Sequence, residues 1–152
     1  MHHYEVSVEW TGNQGEGTSS YRTYSRDHEI SAPGKPAIAA SSEPAFRGDP
    51  KRWSPEELLV GALSDCHMLW FLHLAATNGV VVTSYVDNAS GTMVTDEDGG
   101  GRFTEVTLHP EVTVSTAEMV EQATSLRLTN MHATFLTWLG ETCLMSGRME
   151  DA

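Results

Sequence analysis

The two cysteines of this chain, Cys66 and Cys143, are its candidates for thiol chemistry. Cys66 lies in an apolar stretch and is followed by His67. A cysteine reacts as its thiolate, and an ordinary thiol with a pKa of about 8.5 is only a few per cent ionised at neutral pH. The acidic residues Asp65 and Glu56 have the wrong charge to stabilise a thiolate. A reactive Cys66 therefore needs a cation from elsewhere in the chain.

A histidine beside a cysteine can also indicate a metal site or a cysteine–histidine nucleophile pair. Adjacent residues on a helix point about 100° apart, so Cys66 and His67 do not readily hydrogen-bond each other. His73 follows Cys66 by seven residues, which is roughly 10 Å along a helix and too far for direct activation. We expect no metal, because the cysteines lack metal-finger spacing and the other histidines lack ligand spacing: His2, His3, His28, His109 and His132.

A helix from Ser54 to about Thr77 is predicted around the first cysteine. Ser54 can serve as the N-cap, Pro55 suits the first helical position, and Glu57 completes a capping box. Asn78-Gly79 supplies a residue pair that tolerates the left-handed conformation at the end of a helix. The sequence therefore indicates both ends of this helix.

Cys66 falls on an apolar face of the predicted helix, so we expect its side chain to point into packed surface. On the residues alone, such a cysteine is interpreted as a small, inert core residue. At about 100° per residue, the same face contains Leu59, Ala62, Leu63, Leu69, Trp70 and His73.

The rest of the chain has the periodicity of short strands. Alternating apolar residues predict a strand with one buried face over Tyr4–Trp10. Prolines and glycines between Ser31 and Trp53 predict a long ordered loop, and Ser115 or Thr116 can cap a second helix. The order of elements predicts a single α+β domain over residues 1–152, with helices against an antiparallel sheet. Further strands are predicted over Tyr21–Ile30, Val80–Val86, Gly91–Val94, Phe103–Leu108 and Val112–Val114.

The composition argues against several partners. The chain has 152 residues, 9 basic and 21 acidic side chains and a net charge of −12, which repels nucleic acids and anionic membranes. We find no apolar run that approaches the roughly 18 to 20 residues of a membrane span, and the N-terminus lacks a signal-peptide core. The expected location is the cytoplasm.

Two blocks around Cys66 carry a resemblance to a known family. Residues 54–59 (Ser-Pro-Glu-Glu-Leu-Leu) and 63–76 (Leu-Ser-Asp-Cys-His-Met-Leu-Trp-Phe-Leu-His-Leu-Ala-Ala) resemble the OsmC/Ohr family of thiol-dependent hydroperoxide reductases, and its OsmC-like branch in particular. Tyr24–His28, Gly79–Tyr85 and Gly101–Leu108 match in the same order. The resemblance covers about residues 4 to 123 and implies an intertwined α+β homodimer with a central buried helix.

The resemblance also implies roles for individual residues. Cys66 matches the cysteine that attacks the peroxide, Arg26 the arginine that assists it, and Glu56 the glutamate that orients the arginine and accepts a hydrogen bond from the hydroperoxide. An arginine in this role stabilises the thiolate and polarises the leaving oxygen. Arg22 and Arg47 are competing arginines. Two alternatives remain open: Arg26 is a solvated surface residue, or Glu56 only interacts with the helix dipole.

A distance argument favours a site shared between two chains. Ten residues separate Glu56 from Cys66, which is about 15 Å along a straight helix. Either the helix bends near Gly61, or the glutamate or arginine comes from a second subunit. We prefer the second subunit, because a homodimer would also cover the apolar helix.

The C-terminal segment from about Thr124 diverges from the family pattern. Ser125–Leu136 can be aligned with the block that carries the family's second cysteine, which resolves the sulfenic acid as a disulfide, but Thr134 stands at that position. A threonine cannot resolve a sulfenic acid. Cys143, nine residues later, is therefore the possible resolving cysteine.

Two functions follow as alternatives. The first is the reduction of organic hydroperoxides by Cys66 in oxidative stress defence, without a bound cofactor and with an external dithiol or small thiol as reductant. The second is a non-catalytic, dimeric OsmC-like module that binds a small apolar or thiol-reactive molecule. Thr134 favours the second alternative, so whether the protein is an enzyme stays open at this point.

Overall fold

Two helices and seven short strands form the chain over residues 1–97 and 100–126, the residues that the computed structural model describes. These strands pair with one another in the antiparallel sense, which confirms the predicted α+β class. The chain divides into two compact units, Met1–Leu59 and Val60–Ala152. The elements are β1 (Ser7–Trp10), β2 (His28–Ser31), β3 (Ile38–Ala40), a 3₁₀ helix (Pro44–Phe46), α1 (Pro55–Thr77), β4 (Val82–Asp87), β5 (Ser90–Thr95), β6 (Gly101–Thr107), β7 (Pro110–Val114) and α2 (residues 119–126).

The first unit contains a three-stranded sheet in the order β1-β2-β3. Val8 pairs with Ile30, and Ile30 pairs with Ile38. The predicted strand Tyr4–Trp10 is shorter than expected, and its alternating apolar side chains are exposed rather than buried in the chain by itself: Tyr4, Val6, Val8 and Trp10.

The predicted strand Tyr21–Ile30 is wrong over residues 21–27, and only its end belongs to β2. In this segment side chains bind backbone groups that a strand ladder would otherwise use. The Arg26 guanidinium donates to the carbonyls of Tyr21 and Tyr24, and the Trp10 indole donates to the carbonyl of Ser25. The predicted loop from Ser31 to Trp53 likewise contains β3 and the 3₁₀ helix.

Both ends of α1 have the predicted chemistry. The Ser54 backbone N–H donates to the Glu57 carboxylate at 2.8 Å, and the Glu57 N–H donates to the Ser54 hydroxyl at 3.2 Å, which confirms the capping box. At the other end Gly79 has a φ of 73°. The Val80 N–H donates to the Ala75 carbonyl and the Gly79 N–H to the Ala76 carbonyl, so α1 ends in a Schellman motif.

The second unit pairs β4 with β7 and β5 with β6, and α1 buries one stripe of side chains within it. This stripe, with a spacing of four residues, consists of Leu63, His67, Phe71 and Ala75. Leu63 packs with Val106 and Leu108, while Phe71 and Ala75 pack with residues that include Val80 and Ala123. The core of this unit therefore lies between one stripe of α1, the strands and α2.

A turn over residues 115–118 precedes α2, in agreement with the predicted second helix. Hydrogen bonds from its own backbone N–H and from the Thr116 hydroxyl lower the pKa of the Glu118 carboxyl. A carboxylate at this position also interacts favourably with the positive end of the helix dipole.

By length and composition α1 could cross a membrane. The expectation that no segment approaches a membrane span is therefore wrong. The core helix of a soluble protein meets the same criterion, and α1 packs one stripe against strands of the second unit.

We predict that Glu57→Ala lowers the free energy of unfolding by about 1 kcal/mol, because it removes one half of the capping box. Glu57→Gln keeps an acceptor oxygen at the same position and is expected to cost less than half as much. Urea denaturation followed by circular dichroism measures both changes. Equal losses in the two variants would contradict a role for this hydrogen bond.

Candidate functional site

The thiol of Cys66 lies on the exposed side of α1. Six residues of this side are exposed, and we call them the Cys66 face: Leu59, Ala62, Cys66, Leu69, Trp70 and His73. Leu69 and Trp70 expose 58% and 44% of their surface. The Trp70 ring stacks on the His73 ring with 5.3 Å between centroids. An accessible thiol in an apolar and aromatic surrounding can react with apolar molecules that carry an electrophilic group.

The expectation that Cys66 points into packed surface is wrong for the chain by itself. Of the residues predicted to share its face, Leu63 alone is buried. The stripe that α1 buries instead begins at Leu63 and continues through His67. Cys66 is about 100° away from His67 around the helix and is therefore turned away from the strands.

Ser64 and His67, which flank Cys66 and Asp65, bind side chains of β4. The Ser64 hydroxyl donates to Asp87 Oδ2 at 2.5 Å. A hydrogen bond of 2.6 Å joins His67 Nδ1 and the Tyr85 hydroxyl. His67 is buried, so this contact lies inside the second unit.

Glu56 lies in the first turn of α1 but does not form its cap, because Glu57 does. Glu56 Oε2 is buried and has no hydrogen-bond partner in the part of the chain that the structure describes. Ten residues of α1, helical throughout, separate Glu56 from Cys66, which corresponds to about 15 Å along the axis. One copy of α1 does not bring these two residues together.

Arg26 is partly buried in the first unit, between the rings of Tyr21 and Tyr24 at 4.1 and 4.2 Å from their centroids. Nη1 donates to the Tyr24 carbonyl at 2.8 Å, and Nη2 donates to the Tyr21 carbonyl at 2.9 Å. Among the described residues, neither Glu56 nor another carboxylate forms an ion pair with Arg26. Its positive charge is held in place by aromatic faces and carbonyl oxygens.

The competing arginines, Arg22 and Arg47, are both exposed. Arg47 ends the 3₁₀ helix with a φ of 67°, in the left-handed region. Exposed arginines are usually solvated, so neither has the fixed surroundings of Arg26.

Arg52 is a further arginine that the sequence did not single out. Its Nε lies 3.8 Å from Asp27 Oδ1 and 3.9 Å from Asp49 Oδ2. Its Nη1 is buried and has no hydrogen-bond partner within residues 1–97 and 100–126, as is the case for Glu56 Oε2 four residues later. In the sequence, Arg52 could have been singled out by its position four residues before Glu56, which carries the opposite charge.

Thr134 and Cys143 lie outside the described residues, so the predicted resolving cysteine stays a prediction. Over residues 1–97 and 100–126, no group of three or more histidine, cysteine, aspartate or glutamate side chains could hold a metal ion.

Comparison with known proteins places these features in a family. Residues 48–135 match the family described as OsmC-like protein. No curated protein matches the chain. An OsmC-like protein of unknown function from Vibrio cholerae is 30% identical, with a TM-score of 0.75 over 96% of this chain and 99% of that one.

Two more distant structures share the fold. An organic hydroperoxide resistance protein OsmC from Legionella pneumophila is 11% identical, with a TM-score of 0.65 over 95% of this chain and 94% of that one. An organic hydroperoxide resistance protein from Elizabethkingia anophelis is 14% identical, with a TM-score of 0.63 over 97% and 98% of the two chains. In this soluble fold α1 is the core helix. The family match and the 30% identity over nearly the whole chain show that the protein belongs to the OsmC-like family.

Proposed function

We propose that the protein reduces organic hydroperoxides through Cys66, in the cytoplasm and in defence against oxidative stress. The observation that carries the proposal is the exposed thiol in the middle of the apolar Cys66 face. Family membership supports it, and two structures with the same fold are named organic hydroperoxide resistance proteins.

The proposed reaction begins with the Cys66 thiolate. Its sulfur attacks the distal oxygen of the hydroperoxide, the O–O bond breaks, and the alkoxide that leaves takes up a proton to become an alcohol. Cys66 is oxidised to a sulfenic acid. An external dithiol then reduces the sulfenic acid, which restores the thiol and yields a disulfide and water. No bound cofactor takes part in this scheme.

The surroundings of the thiol favour an organic substrate. Leu69 and Trp70 stand three and four residues after Cys66, so their side chains are its neighbours on the helix surface. An apolar group of a hydroperoxide gains free energy by covering such side chains, at roughly 25 cal/mol per Å². Hydrogen peroxide has no apolar group and gains nothing from this surface.

The two charged residues are proposed to act in a site shared by two chains. Arg26 would stabilise the thiolate and the leaving oxygen, and Glu56 would accept a hydrogen bond from the hydroperoxide. The distance along α1 prevents Glu56 from meeting Cys66 of its own chain. We therefore propose a homodimer in which the Glu56 carboxylate comes from the partner. In this homodimer the partner also covers the Cys66 face and the exposed apolar side chains of β1.

The second candidate is a non-catalytic dimeric module that binds a small apolar or thiol-reactive molecule. Thr134, at the position expected for a second cysteine, favours it. Trapping the Cys66 sulfenic acid after one equivalent of tert-butyl hydroperoxide, followed by turnover with dithiothreitol, separates the two. A trapped sulfenic acid without turnover would support the binding module.

We predict that Cys66→Ser abolishes the consumption of tert-butyl hydroperoxide with a dithiol, because it removes the attacking sulfur. Cys143→Ser is the matched variant and is expected to retain most of this activity while changing the sensitivity to over-oxidation. A coupled peroxide assay measures both. Complete loss in both variants would identify Cys143 as the resolving residue and contradict a mechanism with one cysteine.

Arg26→Ala is expected to slow the alkylation of Cys66 at neutral pH, because the thiolate loses a positive charge that stabilises it. The rate of iodoacetamide alkylation at Cys66 measures this change, with the exposed Arg22→Ala as control. Alkylation of the unchanged protein no faster than that of a free cysteine would contradict a reactive Cys66 and leave it an ordinary surface thiol.

We predict a homodimer at micromolar concentration in sedimentation velocity. Leu69→Glu should weaken association by about tenfold or more, because it places an unpaired charge in the apolar Cys66 face. Val81→Glu changes an exposed apolar residue outside this face and should leave association unchanged. A monomer in the unchanged protein would rule out the shared site.

A further inference from the structure

We propose that Tyr85 and Asp87 of β4 are positioning residues that set the direction of the Cys66 thiol. Tyr85 acts through His67 and Asp87 through Ser64, by the two hydrogen bonds described above. This proposal rests on the proposed function of Cys66 and adds the residues that orient its side chain.

The positions of the two bonds determine the rotation of α1 about its axis. Ser64 and His67 are three residues apart, so their side chains lie about 60° apart around the helix, and both are bound to β4. Cys66 lies about 130° from the mean direction of these two side chains at 100° per residue. With both bonds formed, Cys66 must face away from β4, which agrees with its exposure.

The β4 side of these bonds is itself fixed. Asp87 Oδ1 accepts a hydrogen bond of 2.6 Å from the His109 backbone N–H, while its other oxygen accepts from Ser64. The Tyr85 ring packs against Phe71 with 6.0 Å between centroids, and Tyr85 pairs with Val112 of β7. The backbone N–H of His109, directly before β7, and the pairing with β7 therefore hold the groups to which α1 is bound.

Apolar packing does not determine this rotation by itself. The buried stripe contains Leu63 and Phe71, and the Cys66 face contains Leu69 and Trp70, which are equally apolar. The distribution of apolar residues along α1 therefore does not by itself select which side is buried. Hydrogen bonds depend on direction and are costly to leave unmade in the interior, so they select one rotation.

The direction of the thiol matters because the sulfur must approach the O–O bond in line. A displacement of about 1 Å from the productive geometry can cost about 100-fold in rate. The Ser64 and His67 bonds lie on both sides of Cys66 along the chain, so they restrict the backbone that carries it.

The test uses two variants that each remove a single oxygen atom, Tyr85→Phe and Ser64→Ala. Thr83→Val is the matched control, because it removes another hydroxyl of β4, which donates to the Thr113 carbonyl and is exposed. Near-ultraviolet circular dichroism selects folded variants. Iodoacetamide alkylation of Cys66 at high pH, followed by peptide mass spectrometry, reports access to the thiol without any peroxide.

We expect Tyr85→Phe and Ser64→Ala to lower the alkylation rate at high pH about threefold or more, and kcat for tert-butyl hydroperoxide about tenfold with little change in KM. Asp87→Asn, which keeps an acceptor oxygen, should lie closer to the unchanged protein than Asp87→Ala. Unchanged alkylation and kcat in folded variants that only melt earlier would overturn the proposal. If Cys66→Ser still consumes peroxide, the proposed function fails, and the alkylation rates alone decide whether Tyr85 and Asp87 position the thiol.

Discussion

The packing of one stripe of α1 against the strands of the second unit decides what the rest of the helix presents to its surroundings. Leu63 is almost fully buried and packs with Val106 and Leu108. Phe71 and Ala75, one and two helical turns after His67, are also buried. Because the stripe repeats every four residues, it occupies one side of α1 for most of its length. The exposure of Cys66 is a direct consequence of this choice of side.

The charged residues and the thiol of the proposed site belong to different units of the chain. Arg26 and Glu56 belong to the first unit, and Cys66 belongs to the second. Among the described residues, Arg26 is held by two tyrosines and has no carboxylate partner, and one buried oxygen of Glu56 has no donor. Burying an uncompensated charge is expensive. An interaction of these two side chains with a reacting group is part of the proposed function.

The sequence predicts best where local chemistry decides. Ser54, Glu57 and Gly79 mark the ends of α1 because caps depend on residues within a few positions. The buried side of α1 was predicted wrongly, because a helix apolar on two sides gives no periodic signal and the strands make the choice. The strand at Tyr21–Ile30 failed where Arg26 binds its neighbours' carbonyls. The family could be recognised from the block around Cys66, whereas the roles of Cys66, Arg26 and Glu56 stay predictions.

The two apolar sides of α1 are exposed to different kinds of selection. A smaller side chain at Leu63 or Phe71 leaves a cavity and costs roughly 2 to 5 kcal/mol of stability. The same change at Leu69 or Trp70 leaves no cavity in the chain, since both are exposed. Sequence drift on the inner side is therefore limited by folding, whereas drift on the outer side is limited only by what this surface binds. Related chains can thus diverge in specificity along one side of a helix while its other side preserves the fold.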